Sequence, residues 1–184
     1  AASDVYKRQR LQPKIIDRVK EVVLMGGGAH IGNVKPMAEF NIENDPEAAH
    51  IVFEEKWPIV MIGLDLTYQA LATKAVKEKV ASMQTPAAVF LRQVLTRFSE
   101  NYKRSKGFDE PPVHDPCAVA YVIDPSIIET ETAPVHVEYR GLYTNGMTVA
   151  DFRRKAPEDC HTKVALKLDQ NRFWDLIFQA LMHL

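Results

Sequence analysis

Three polar side chains crowd into the run "NVKPMAEFN": Asn33, Glu39 and Asn41. Together they offer one ionised acceptor and two amides that each donate and accept. That mixture suits a polyhydroxyl ligand, because every sugar hydroxyl is also both donor and acceptor. On spacing alone, the plainer reading of a solvated connecting loop with incidental Glu and Asn is the stronger one. His114-Asp115 form a second constellation. Asp115 before Pro116 reads first as a helix N-cap, although a carboxylate with four lone-pair sites can also ligate a metal. An adjacent imidazole that faces a cleft can deliver a proton to a leaving group near neutral pH; otherwise it is a surface residue. Phe98 and Tyr102 lie one helical turn apart, as most core pairs do, with a mobile lid over an aromatic ligand as the alternative. His30, His50, His136, His161 and His183 show no ligand spacing.

These residues need elements to position them. Glu21-Val22-Val23-Leu24-Met25, stopped by Gly26-Gly27-Gly28, reads as a buried parallel strand. Gly26, Gly28 and Gly32 invite a dinucleotide reading, but the spacing departs from that fingerprint and Pro36 interrupts the helix it requires. A tight turn that lets a ligand approach the strand end fits better. Asp45-Pro46-Glu47 opens a helix that should stop before Trp57-Pro58, and Ile59–Ile62 form a second buried strand with Asp65 just beyond it. Strand, helix, strand implies a βαβ unit and a parallel sheet. Helical patterns follow over residues 74–82, 86–104 and from Asp115 through Val122. Val135–Tyr139 alternates as a strand before a turn at Thr144-Asn145-Gly146, Val164-Leu166-Leu168 alternates again, and an amphipathic helix runs from about Asn171 to Leu181.

The 184 residues suffice for one domain with a sizeable core, and 46% hydrophobic with 26% charged residues is ordinary for a globular protein. A net charge of −1 gives no electrostatic footprint for nucleic acid or an anionic membrane. The apolar runs are too short to span a bilayer, and the N-terminus has no apolar signal region. Two scattered cysteines, Cys117 and Cys160, form no framework, so a reduced, cytoplasmic setting is expected. The opening "AASDVYKRQ" has no apolar periodicity, and its DVYKRQ resembles translated adaptor sequence. Residues 1–9 are therefore expected to be a non-native or disordered tail.

Read together, "VVLMGGGAHIGNVKPMAEFNIENDPEAAHIVF", "WPIVMIGLDLTYQALAT", "VHDPCAVAYVIDPSII" and "GLYTNGMTVADF" resemble the inosine-uridine preferring nucleoside hydrolases, the calcium-dependent ribonucleoside N-ribohydrolases. The resemblance spans about Leu11 to Leu184. It implies a Rossmann-like α/β fold, an open and mostly parallel sheet with flanking helices, plus a C-terminal hairpin and helix. Residues 10–184 would be the C-terminal part of a single domain whose first strands are missing. It further implies that Met25 lines a ribose pocket, that Asn33, Glu39 and Asn41 bind ribose hydroxyls, and that Phe40 is a neighbouring wall. Asp115 would be a Ca2+ ligand, His114 would assist the leaving base, and Tyr102 would lie in the mobile region covering the base.

One hallmark of the family is absent: an acidic cluster of type DxDxxxDD, the source of most calcium ligands and of the water-activating aspartate. The expected function is therefore hydrolysis of ribonucleosides to ribose and free base, in purine or pyrimidine salvage, by a longer homo-oligomeric (dimeric or tetrameric) parent, with this chain inactive alone. The alternative is a non-catalytic ribose- or nucleoside-binding module. The expected partner is a ribonucleoside, with neither nucleic acid nor membrane.

Overall fold

The computed structural model describes residues 2–184 and divides into two compact units. The first takes the chain up to Leu66 together with Ile128–Lys167; the second takes Thr67–Ile127 and Leu168–Leu184.

The first unit opens with α1 (Ala2–Leu11), then β1 (Val22–Met25), α2 (Phe40–Asn44), α3 (Pro46–Phe53) and β2 (Ile59–Ile62). The one-turn helix α4 (Leu64–Thr67) follows, its last residue already belonging to the second unit, and the chain returns with β3 (Ile128–Thr132), β4 (Val135–Glu138), β5 (Met147–Ala150) and β6 (Thr162–Leu168). The main sheet has the order β1-β2-β6-β3, with β1, β2 and β6 parallel. β4 and β5 pair as a separate antiparallel hairpin. This is the expected α/β architecture.

Its causes are local. Asp45 caps α3, its carboxylate accepting from Ala48 N–H at 3.1 Å, and Pro46 occupies the first helical turn. β2 is buried at all four positions, as an unbroken Ile-Val-Met-Ile run between two parallel neighbours requires. Ile42, Val52, Phe53, Trp57, Ile59, Met61, Val135 and Val164 form the hydrophobic cluster beneath the sheet. β1 ends the sheet, and its four residues are only half-buried.

Residues 1–9, expected as a non-native or disordered tail, take a regular backbone form where they are described. Ala1 lies outside the described residues, but from Ala2 onward the segment is helical. Val5 and Tyr6 pack against the cluster, and Gln9 is buried and donates to Glu55. Two adjacent apolar residues in a charged helix are too few to produce a readable period, so only their docking site reveals them.

The second unit is helical: α5 (Lys74–Ser82), α6 (Pro86–Lys106), α7 (Asp115–Ile123) and α8 (Gln170–His183). Thr73, Thr85 and Asp169 cap α5, α6 and α8 through their side chains. Gly107 ends α6 in the left-handed conformation, φ 78°, with its N–H bonded to Lys103 O. Val80, Leu95, Ala120, Tyr121, Phe173 and Leu181 are among its buried side chains.

Candidate active site

In the first unit, the C-terminal ends of β1 and β2 carry the candidate residues, the end at which parallel sheets place their sites. Register pairs Met25 with Ile62, so the glycine turn and Gly63 emerge at the same level. Gly27 has φ 75°, which a side chain would strain. Its N–H donates to Glu39 Oε2 at 2.9 Å. Gly28 N–H donates to Thr148 Oγ1, also at 2.9 Å, while that hydroxyl donates back to Gly28 O. Ala29 N–H donates to Asp65 Oδ2 at 2.6 Å, and His30 Nδ1 meets Asp65 Oδ1 at 2.7 Å. Three successive amides are thus committed to protein acceptors, which removes the phosphate-cradle reading of these glycines.

The loop reading of residues 39–41 is also corrected. Glu39 is 2% exposed and caps α2: Oε1 accepts from Asn41 N–H at 2.9 Å and Oε2 from Ile42 N–H at 3.2 Å. One carboxylate therefore starts a five-residue helix and pins the glycine turn. The loop expectation failed because Glu is uncommon as a cap and α2 is too short to show a period. Asn41 Nδ2 donates to Met25 O at 3.2 Å and reaches Met25 Sδ at 3.3 Å. Its Oδ1 has no hydrogen-bond partner among the described residues. Asn33 Oδ1 accepts from Phe40 N–H at 3.0 Å, and Phe40 is 55% exposed. Met25, Asn33, Glu39, Phe40 and Asn41 are therefore one connected cluster. Thr148 was not singled out from sequence, since only the fold brings the hairpin to the glycine turn.

In the second unit, His114 occupies the position before α7, and Asp115 is the first helical residue. The N-cap expected at Asp115 is corrected, because no side chain caps α7. Asp115 is exposed, and its carboxylate has no hydrogen-bond partner among the described residues. His114 Nδ1 lies 2.8 Å from Thr67 Oγ1, and the Tyr68 ring stands edge-on to the imidazole at 5.8 Å. Burial holds the His114 pKa below its ordinary value, against the opposing pull of the Asp115 charge. Tyr102 is pushed up to about 12 by burial and by Tyr68, with which it shares a hydrogen bond. It also packs edge-on to Phe98 at 5.7 Å. Tyr68, Leu71, Tyr102, Lys106, Phe108 and Pro112 are among the residues around an open, largely apolar cavity of about 610 Å³. Thr67 and Tyr68 sit in the quoted "GLDLTYQ" run, but nothing in their spacing marked them.

Asp115 suits an oxygen-liganded cation by its uncommitted carboxylate. A single ligand is not a site, and no group of three or more His, Cys, Asp or Glu among the described residues could hold a metal.

A parallel sheet with polar residues gathered at its strand ends, and helices alongside, defines an α/β protein of the kind that places its site at the strand ends. The family model for inosine-uridine preferring nucleoside hydrolase matches residues 3–175, and the chain belongs to that family. It is 55% identical over 179 residues to the inosine-uridine preferring nucleoside hydrolase of Crithidia fasciculata, covering 97% of this chain and 57% of that protein. Identity to the Leishmania major protein of the same name is 55% over 172 residues, 94% of this chain and 54% of the relative. Among solved structures, a purine-preferring ribonucleoside hydrolase from Gardnerella vaginalis superposes with a TM-score of 0.88 at 31% identity, covering 98% of this chain and 57% of that one. The chain spans little more than half the length of these relatives. No helix among the described residues is long and apolar enough to cross a membrane.

Proposed function

We propose that this chain is the C-terminal portion of a calcium-dependent ribonucleoside hydrolase that cleaves the N-glycosidic bond to give ribose and free base. The observation that carries this reading is the connected cluster of Glu39, Asn41, Asn33 and Met25 at a strand end, in a chain of this family.

Cleavage develops oxocarbenium character on the sugar ring. Asn33, Glu39 and Asn41 take ribose hydroxyls, the uncommitted Asn41 Oδ1 being a ready acceptor, while Met25 and Phe40 offer apolar surface to the ring. Fixing the hydroxyls supplies the proximity contribution, and the Glu39 charge favours the positive charge developing on the sugar. Tyr102 packs on the base. His114 offers a hydrogen bond or proton to the departing base, worth about 10²–10⁴-fold where it acts. Asp115 would contribute one ligand to a Ca2+ ion, which when bound would supply an oriented water of lowered pKa. Homodimeric or homotetrameric assembly, nucleobase salvage and a cytoplasmic setting belong to the same reading.

Ribose release by the longer protein, with and without calcium, tests it. Glu39→Gln and Asp115→Ala should each depress hydrolysis strongly, and this chain alone should release no ribose. An Asp115→Ala protein with wild-type hydrolysis and calcium affinity would overturn the site assignment. The second reading is a non-catalytic nucleoside-binding module. An in-frame upstream acidic cluster of type DxDxxxDD decides for the enzyme.

A further inference from the structure

We infer that Thr67 is the positioning residue of His114, its hydroxyl donating to Nδ1 so that the neutral imidazole carries its proton on Nε2. The inference rests on the reading of His114 as the group beside the departing base.

Thr67 is fully buried at the end of α4, one residue from the Tyr68 ring that stands edge-on to the same imidazole. Its Oγ1 lies 2.8 Å from His114 Nδ1, a normal hydrogen-bond length. A hydroxyl has one proton to give, and Thr67 Oγ1 has no other hydrogen-bond partner among the described residues. In a neutral imidazole one ring nitrogen donates and the other accepts. Donation from Thr67 therefore makes Nδ1 the acceptor and leaves Nε2 as the N–H. Nε2 itself has no hydrogen-bond partner among the described residues, so its N–H stays available to a ligand acceptor. Burial prevents the threonine from exchanging its bond with solvent, and the edge-on Tyr68 restricts ring rotation. Two contacts from adjacent residues thus set both the orientation and the tautomer of one histidine. A histidine in the opposite tautomer would present a bare lone pair through Nε2, unable to donate to a leaving base.

Ring-nitrogen NMR on the 15N-histidine-labelled chain tests this at about pH 8, where a neutral imidazole dominates. His114 is assigned by the signal lost in His114→Gln. Nδ1 should resonate as an unprotonated ring nitrogen and Nε2 as a protonated one. Thr67→Val should collapse that separation toward a tautomer mixture, and Thr67→Ser should restore it. A wild-type spectrum with the proton on Nδ1 overturns the inference, and this reading does not depend on either Thr67 variant. An unchanged ring signature in a folded Thr67→Val chain overturns it as well. The measurement needs neither substrate nor turnover, so it can fail while the hydrolase reading stands, and the reverse.

Discussion

Glu39 shows how far a residue's chemistry depends on its surroundings. Its carboxylate accepts three backbone N–H groups, from Gly27, Asn41 and Ile42, while nearly fully buried. Glu39→Gln keeps the shape but turns an amide NH2 toward backbone donors, leaving a buried donor unpaired. A loss of about 1–3 kcal/mol is expected, read as a lower urea midpoint with unchanged slope. Cys117 makes a second prediction at this scale. Burial, reinforced by the Asp115 charge, pushes its thiol from 9.0 up to about 12. A raised folded pKa means stability fully present below the unfolded value and lost as pH rises through the folded one. Between those two values the wild-type midpoint should fall with pH more steeply than that of Cys117→Ala. Thiol-reactive probes at about pH 8 should label the half-buried Cys160 well before Cys117. The residue types at 33, 39, 41, 114 and 115 were readable as chemistry; their partners were not, because Gly27 and Thr67 are brought to Glu39 and His114 by the fold.

At the scale of elements, glycines separate two kinds of constraint. Gly27 and Gly107 both have positive φ, but a Cβ on Gly107 would meet nothing within 4 Å, whereas on Gly27 it would meet Thr148 Oγ1 at 2.7 Å. Gly107→Ala should therefore cost only the left-handed penalty, about 1–2 kcal/mol. Gly27→Ala should cost clearly more, because it also forces Thr148 off Gly28 and disturbs the amide held by Glu39. Thermal unfolding of the two variants side by side checks the ranking. The caps at Asp45, the strands at Val22–Met25 and Ile59–Ile62, and the helices α5 to α8 were legible because each carries its own signal: a cap, an apolar run or a 3.6-residue period. α1 and α2 lacked one. The first docks with only a few apolar contacts, and the second begins at a glutamate whose capping role needs no apolar pattern.

For the whole molecule, β1 is the terminal strand of its sheet, and its Val-Val-Leu-Met run is half-buried throughout. A short apolar edge with unpaired backbone groups is a template for association. Val22 and Leu24 pack toward the hydrophobic cluster, which leaves Val23 on the alternate face. Val23→Lys should reduce concentration-dependent light scattering of this chain while leaving its far-UV circular dichroism unchanged. Sequence alone determined the α/β class, the order of most elements and the residue types able to hold a sugar, because propensities, caps and apolar periods are local properties. Tertiary structure alone decided that Glu39 is buried against the glycine turn, that the glycine amides are already taken by Glu39, Thr148 and Asp65, and that Thr67 meets His114. Those outcomes depend on contacts between residues 12 to 120 positions apart, whose spacing leaves no mark on the chain.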